Sequence, residues 1–240
     1  MNWQLGTVVE LREETERVTS IVLRLPEWAG HRAGQHVDVR LTAEDGYQAQ
    51  RSYSIASAPD DDDLVLTVER IEDGEVSSYL VGELRAGDEL ELRGPIGGYF
   101  VWEGALGGPL VLLAGGSGIA PLRAMLRHHR ATGSTVPVRL LYSARAEREL
   151  IFRDELARAG DGGTVDVRFT LTREQPPDWS GYGRRIDREL IADVAWPPDE
   201  RPLVYVCGPT GFVEAAADAL VSLGHDPGRI RTERFGPTGS

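Results

Sequence analysis

The segment Gln50-Arg51-Ser52-Tyr53-Ser54-Ile55-Ala56-Ser57 has the composition of a short β-strand that stops before Pro59. On a strand, Arg51 and Tyr53 lie on one face and Ser52 and Ser54 on the other. A guanidinium binds a diphosphate through two hydrogen bonds, an aromatic ring offers a flat surface, and a serine hydroxyl bonds the edge of a ring. The segment therefore predicts either a binding strand for a flavin dinucleotide or an ordinary half-buried strand with a surface arginine.

Similar short runs surround this segment over residues 1–103. They are rich in strand-forming residues and bounded by turn residues, and they lie at 5–11, 19–25, 36–41, 64–70 and 89–93. Together with the Arg51 segment they make six short strands, which predicts a closed antiparallel barrel. One helix is expected within the barrel, from a turn at Gly74 to about Glu83. Its free N–H groups would suit an anion.

A second pattern begins after the glycine-rich stretch 104–108, which predicts a domain boundary between residues 1–103 and 108–240. Strand-like runs at 109–114, 138–142, 165–169 and 203–207 alternate with helical runs near 119–130, 149–159, 187–192 and 208–223. This β-α-β succession predicts a parallel, doubly wound sheet. The expected fold class is thus a six-stranded antiparallel barrel followed by an α/β domain.

Two segments of the second domain follow directly on predicted strands. Gly115-Gly116-Ser117-Gly118-Ile119-Ala120-Pro121 joins a strand to a helix, which is where open α/β sheets bind dinucleotides, although it lacks the usual G-x-G-x-x-G spacing. Cys207-Gly208-Pro209 ends another strand of the same sheet. Alone, this second segment is equally typical of a buried small residue followed by a helix-starting proline.

The composition of the chain argues against several classes of function. The chain has 240 residues, a formal net charge of -12, one cysteine and no lysine. The negative charge argues against nucleic acid as the main partner, and a single cysteine allows neither an internal disulfide nor a cysteine-ligated iron–sulfur cluster. There is no signal-like leader and no apolar stretch long enough to span a membrane, so a cytoplasmic protein is expected. The acidic run at 60–63 is interpreted as a solvated hairpin tip rather than a metal site.

Six motifs occur in a fixed order along the chain. They are R-x-Y-S at 51–54, G-x-x-S-x-x-L at 74–80, G-P-x-G at 94–97, G-G-x-G-I-x-P at 115–121, C-G-P at 207–209 and E-x-F at 233–235. In this order and spacing they resemble the ferredoxin–NADP reductase superfamily, and most of all the reductase components of bacterial oxygenases. The resemblance covers essentially the whole chain. It favours the flavin-binding interpretation of the Arg51 segment.

The resemblance implies FAD and a nicotinamide nucleotide as cofactors. Arg51 would bind the FAD diphosphate, Tyr53 would pack on the isoalloxazine, and Ser54 would reach the reactive flavin nitrogen. Ser52 would also bind the cofactor. The other residues that the resemblance implies around FAD are Val68 and Arg70 at the adenosine half, and Gly74, Val76 and Ser77 at the diphosphate. Those around the nicotinamide nucleotide are Gly116, Ser117, Gly118, Pro121, Cys207, Gly208, Pro209 and Phe235. The catalytic residues would be Ser54, Cys207, Glu233 and Phe235.

Two further strand ends bear on the choice of nucleotide. Ser143 and Arg145 follow the second strand of the α/β domain, and Arg173 follows the third. NAD-specific sites commonly place a carboxylate there, whereas a hydroxyl and guanidinium groups suit a 2′-phosphate. NADP(H) is therefore expected to be favoured, with NAD(H) possible. The alternative is that both arginines are solvated surface residues.

The expected activity is hydride transfer from NAD(P)H to FAD, followed by transfer of single electrons to an acceptor. Oxygenase reductases often carry a fused plant-type ferredoxin domain, whose cluster needs four cysteines. With one cysteine here, a separate acceptor protein is expected, such as a ferredoxin or an oxygenase component. The arginines at 183–185 and 229–231 would either bind that acceptor or form ordinary turns. Two alternatives remain open: a flavin or quinone reductase, and a non-catalytic flavin- or nucleotide-binding subunit.

Overall fold

A computed structural model describes residues 2–160 and 163–235. The strands of the first half are β1 (Gln4–Thr15), β2 (Val18–Arg24), β3 (His36–Thr42), β4 (Gln48–Ser54), β5 (Leu64–Glu69) and β6 (Glu89–Ile96), with α1 (Glu75–Gly82) between the last two. The second half contains β7 (Leu110–Gly115), α2 (Ile119–Ala131), β8 (Val138–Ala144), α3 (Arg153–Gly160), β9 (Val165–Leu171), α4 (Arg188–Val194), β10 (Leu203–Pro209), α5 (Thr210–Ser222) and β11 (Ile230–Phe235).

The first six strands form one antiparallel sheet in the order β4-β3-β6-β1-β2-β5. Its two outer strands meet at an Ile55–Leu66 bridge, where the Ala56 N–H also donates to the Val65 carbonyl at 2.8 Å. This contact closes the sheet. Alternate side chains of each strand, such as Ile21 and Leu92, fill a common apolar core, which stabilises the barrel by removing apolar surface from water. The predicted antiparallel barrel is confirmed.

The remaining five strands form a parallel sheet in the order β11-β10-β7-β8-β9. From β7 the chain proceeds outward through β8 to β9 and then returns to β10 on the other side. The ends of β7 and β10 therefore flank the point at which the strand order reverses, the usual ligand position in such sheets. The parallel, doubly wound sheet is confirmed. Its fifth strand, β11, was not among the four strands predicted.

The chain separates into two compact units, Met1–Trp102 with Arg123–Ala131, and Glu103–Leu122 with Thr132–Ser240. The sequence predicted one boundary near 104–108 and did not anticipate that most of α2 belongs to the first unit. The reason lies in its polar contacts. Arg123 donates to the Ala56 carbonyl at 3.0 Å, and Arg127 pairs with Asp61 at 2.8 Å.

The acidic run at 60–63 is more than a solvated hairpin tip. Besides the Arg127 pair, Asp60 lies 2.6 Å from His128 and Asp63 lies 3.2 Å from Arg24. Over the described residues, no cluster of His, Cys, Asp or Glu side chains is arranged to hold a metal ion. Nor does any helix in that part of the chain have the length and apolarity needed to cross a bilayer.

Several helix boundaries differ by a few residues from the predicted ones, and the difference is largest at the start of α3. A single helix was expected over 149–159, but a 3₁₀ turn at Glu147–Glu149 is followed by α3 from Arg153. Phe152 between them has a φ of 58°, which interrupts a right-handed helix. Helix α1 begins after Gly74 as its N-cap, one residue into the expected range.

Candidate functional site

Strand β4 presents Arg51 and Tyr53 on one face, as its alternation requires. Arg51 is exposed, and its guanidinium makes one hydrogen bond to a described residue, the neighbouring Gln50 carbonyl at 2.6 Å. Tyr53 is half-buried against the barrel core, and burial raises the pKa of its hydroxyl to about 12 despite the nearby Arg51 charge. The result is a neutral aromatic surface one strand step from an accessible guanidinium. This arrangement fits an isoalloxazine joined to a diphosphate.

The serines of the motif lie on the opposite face of β4. Ser52 donates to Asp38 at 2.7 Å, and Arg93 donates to the other Asp38 oxygen at 2.6 Å. Burial raises the pKa of Asp38, but these two hydrogen bonds and the Arg93 charge outweigh it, so the pKa lies below its ordinary value. Ser52 therefore holds β4 to its neighbours β3 and β6. Its expected contact with FAD stays a prediction.

Ser54 ends β4, where it is half-buried opposite His36 of β3. Its hydroxyl makes no hydrogen bond with the residues that the structure describes, which leaves it available to a ring edge. Burial lowers the pKa of His36, an effect that the Asp38 charge partly opposes. A largely neutral imidazole thus lies beside Ser54. His36 could not be recognised from the sequence, because only the strand register brings it beside Ser54.

The start of α1 forms the second part of this surface, and the helix packs against β4 and β5. A Cβ atom on Gly74 would lie 2.5 Å from the Ser77 hydroxyl and 2.9 Å from the Ile71 Cβ, so no larger residue fits there. The Ser77 hydroxyl accepts from the Ile71 N–H at 3.1 Å and donates to the Gly74 carbonyl at 3.3 Å. It fixes the turn, while the first N–H groups of the helix remain to bind an anion.

The side chains of two expected cofactor residues here are unavailable. Val68 and Val76 are fully buried in the barrel core, so only their main chains could contact a cofactor. Arg70 is exposed just after β5, and its carbonyl accepts from Arg17 at 3.1 Å. The roles of all three residues at FAD remain predictions.

In the second unit, the loop after β7 is pressed against the end of β10. A Cβ atom on Gly118 would overlap the Cys207 carbonyl oxygen, and Gly116 has a φ of 54°, which favours glycine. Pro121 is buried one turn further on, whereas Ser117 is half-exposed. The loop therefore offers main-chain N–H groups at a helix start with little side-chain bulk. This arrangement fits a dinucleotide diphosphate.

The parallel pairing of β10 and β11 brings the expected catalytic residues of this unit together. Cys207 is the register partner of Glu233, and Pro209 that of Phe235. Burial raises the pKa of Glu233 to about 7. Burial and the Glu233 charge together raise the pKa of the Cys207 thiol well above its usual range. A thiol that stays protonated and a carboxyl that titrates near neutral pH thus lie side by side.

Three residues expected near the 2′-position occupy adjacent strand ends. Ser143 is buried at the end of β8, and the Arg173 N–H donates to the Arg145 carbonyl at 3.0 Å. Both guanidinium groups are exposed, and neither forms an ion pair with a described residue. Glu174 is paired instead with Arg148 at 2.6 Å. The arrangement leaves two cations available at one edge of the sheet.

The arginines considered for acceptor docking are mostly engaged within their own unit. Arg184 pairs with Asp187 and Glu189. Arg229 donates to the carbonyls of Arg201, Pro202 and Gly107, and Arg231 lies over the Tyr205 ring and bonds its hydroxyl at 3.0 Å. These contacts favour the alternative interpretation, ordinary turns and strand ends.

Comparison with known proteins identifies the family of the chain. Residues 6–101 match the family model of the oxidoreductase FAD-binding domain, and residues 112–218 match that of the oxidoreductase NAD-binding domain. The chain belongs to the ferredoxin–NADP reductase superfamily. The chain therefore has an FAD-binding and an NAD-binding domain. The matched regions contain the site residues described above except Gly107, Arg229 and those of β11.

Its relatives include components of oxygenase systems. The chain is 30% identical over 235 residues to the propane 2-monooxygenase reductase component of Rhodococcus jostii, covering 95% of this chain and 62% of that protein. It is 27% identical over 241 residues to the ferredoxin–NAD(P)+ reductase component of the naphthalene 1,2-dioxygenase/salicylate 5-hydroxylase systems of a Ralstonia species, covering 98% and 69%. It thus spans about 62% of the length of the propane monooxygenase relative.

Among solved structures, the FAD/NAD-binding domain of a nitric oxide dioxygenase from Vibrio cholerae superposes with a TM-score of 0.87 at 28% identity. The alignment covers 98% of this chain and 99% of that domain. This match confirms the expected fold.

Proposed function

We propose that the protein passes a hydride from NAD(P)H to FAD and then single electrons to a separate acceptor protein, such as a ferredoxin or an oxygenase component. One observation carries the proposal. A single chain holds an FAD-binding domain, with Arg51, Tyr53 and Ser54 on one strand, and an NAD-binding domain whose switch point is lined by the Gly116–Gly118 loop and Cys207. A protein that only binds a nucleotide would need only one of these two domains.

On the flavin side, the protein contributes binding and orientation. Arg51 and the N–H groups at the start of α1 would bind the diphosphate, and two anion-binding groups suit FAD better than a flavin with one phosphate. Tyr53 provides a neutral surface for the ring, and the Ser54 hydroxyl is free to bond its edge. Bound FAD supplies hydride acceptance and the release of electrons one at a time.

On the nicotinamide side, the protein controls packing and protons. Cys207 stays a neutral thiol because of its raised pKa, so it serves as a compact wall rather than a nucleophile. With its pKa near 7, Glu233 can hold or release a proton at neutral pH. Phe235, half-exposed at the end of β11, borders the same edge. Alignment matters most here, since reacting atoms must approach to about 3–3.5 Å.

The proposal includes a preference for NADPH over NADH. Its support is the pair of exposed guanidinium groups, Arg145 and Arg173, which have no ion pair among the described residues. A 2′-phosphate could bond both. The acceptor protein is proposed from the roles of the relatives, which are reductase components of oxygenase systems. The cytoplasmic location expected from the sequence stays a prediction, and cell fractionation would test it.

Anaerobic stopped-flow mixing of the purified flavoprotein with NADPH tests the hydride step. Flavin absorbance should bleach within the instrument's time range. Ser54→Ala should slow that bleaching several-fold, because it removes one hydrogen bond to the flavin, while FAD stays bound. A control is Ser134→Ala, which lies outside the proposed flavin site and whose hydroxyl accepts from the Val136 N–H; it should bleach at the wild-type rate.

Turnover assays then separate the acceptors. With NADPH as donor, a ferredoxin or oxygenase component should be reduced faster than free flavin or a quinone. The opposite ranking would assign the protein as a flavin or quinone reductase. Retained FAD with no bleaching by either nicotinamide nucleotide would leave only a non-catalytic binding subunit.

A further inference from the structure

Phe212 lies in the first turn of α5 and packs partly buried against the apolar core of the second unit. Its ring sits over the ends of two adjacent strands, at Gly115 of β7 and Gly208 of β10. These two glycines are neighbours because Ala114 and Cys207 are register partners. One aromatic ring therefore covers both sides of the point where the strand order reverses.

The contact is close on both strands. A Cβ atom on Gly115 would have three ring atoms of Phe212 as its nearest neighbours, at 2.9, 3.0 and 3.2 Å. A Cβ atom on Gly208 would lie 2.8 Å from the ring and 3.2 Å from the Gly115 Cα. Gly115 has a φ of -119°, a value that any residue adopts. Glycine is thus required at Gly115 because the ring leaves no space for a side chain, and not because of the backbone conformation.

We propose that Phe212 is a positioning residue for the nicotinamide nucleotide. By resting on Gly115 and Gly208 at once, its ring fixes the separation of the two strand ends. It thereby fixes the Gly116–Gly118 loop relative to Cys207. The inference rests on the proposed function, since it assumes that this edge of the sheet binds NAD(P)H. Phe212 itself acts through the two glycines and not on the reacting atoms.

Removing the ring should affect nucleotide alignment more than folding. A displacement of about 1 Å at a reacting centre lowers a rate by about 100-fold. Phe212→Ala should therefore slow flavin reduction at saturating NADPH by about 10- to 100-fold and weaken NADPH binding, with FAD content unchanged. Phe212→Tyr keeps the ring and should retain both properties. A merely structural residue would lower the melting temperature without slowing the reduction step in protein that is still folded.

Double variants test the contact itself. Gly115→Ala should impair NADPH binding because its methyl group meets the ring, and adding Phe212→Ala should restore part of it. Gly118→Ala is the matched control, since its methyl group overlaps the Cys207 carbonyl oxygen, which truncating Phe212 cannot move. The same second substitution should give it no relief. Binding is measured by titration with NADPH, and reduction by anaerobic stopped flow.

The outcomes separate this inference from the proposed function. Wild-type binding and reduction rates in Phe212→Ala would overturn it, as would an equal effect of Gly115→Ala with and without the ring. Should the alanine variant not fold, Phe212→Leu keeps the apolar packing without a flat ring, and wild-type rates there would overturn it equally. A wild-type protein that neither binds NADPH nor is reduced by it would instead overturn the proposed function.

Discussion

Glu233 should make the folded protein less stable as the pH rises, and Glu233→Gln should remove that dependence. The carboxyl lies beside buried Cys207, and burial raises its pKa from the ordinary 4.5 to about 7. A raised pKa means that the folded state prefers the protonated form. Above pH 4.5, ionisation of Glu233 lowers the free energy of the unfolded chain. It lowers the free energy of the folded protein only above about pH 7. Stability is therefore lost between these values and stays constant above them.

The size of the effect follows from the two pKa values. One pKa unit corresponds to about 1.4 kcal/mol, so the full loss approaches about 3 kcal/mol. Linkage gives a loss of about 1 kcal/mol near pH 5, about 2 kcal/mol near pH 6 and about 3 kcal/mol near pH 8. Glutamine has nearly the same shape and no charge to bury. The variant should thus become more stable than wild type by an amount that grows over this range.

Urea unfolding of the FAD-loaded proteins, measured by circular dichroism from pH 5.5 to 8.5, checks this expectation. The difference between variant and wild type at each pH cancels FAD binding, which both share. Glu214→Gln, at an exposed position on α5 of the same unit, controls for the loss of one negative charge. A difference that is independent of pH, or that matches the Glu214→Gln control, would refute the reasoning that burial governs the Glu233 proton.

Two other predictions concern the arginines. Arg51→Ala should weaken FAD binding by about one to two decades, which is the contribution of one charged hydrogen bond. An equilibrium titration of the apoprotein with FAD measures this. Arg85→Ala is the control, because Arg85 lies on the same unit but bonds carbonyls at the end of α1, and it should not weaken FAD binding. Equal FAD affinity in both variants would contradict the role of Arg51. Arg145→Ala should lower kcat/KM for NADPH by about one to two decades while leaving that for NADH nearly unchanged. Equal values for the two nucleotides in the wild type would end the proposed preference.

Much of the architecture was predictable because it depends on local pattern. Short runs of strand-forming residues bounded by turn residues predicted the six barrel strands, and the alternation of strand-like and helical runs predicted the parallel sheet. The strand β11 was missed because Ile230–Phe235 carries three charged residues and is stabilised by pairing with buried β10 rather than by its own apolar content. Its motif residues, Glu233 and Phe235, were placed by resemblance alone.

The sequence indicated where the candidate site residues lie along the chain, but not which contacts they make. Arg51 and Tyr53 lie on one strand and the glycine loop joins a strand to a helix, as the sequence indicated, while their cofactor contacts stay predictions. His36 and Phe212 could not be found, because each acquires its place through register or packing with residues far away in the chain. The docking role considered for 183–185 and 229–231 depended on free charge, and sequence alone does not show which guanidinium groups are already paired.

The R-x-Y-S motif illustrates why a motif and a binding site are different things. Alternation along β4 divides its residues between two faces, so Arg51 and Tyr53 can meet a cofactor while Ser52 bonds buried Asp38. Asp38 in turn accepts from Arg93 of β6, which ties three neighbouring strands together. An anion buried between two donors resists displacement, since losing either donor leaves its charge poorly solvated. The strand proposed to make the flavin contacts is thus fixed from its other face, and this rigidity would allow an exposed arginine and a half-buried tyrosine to bind a ligand in one orientation.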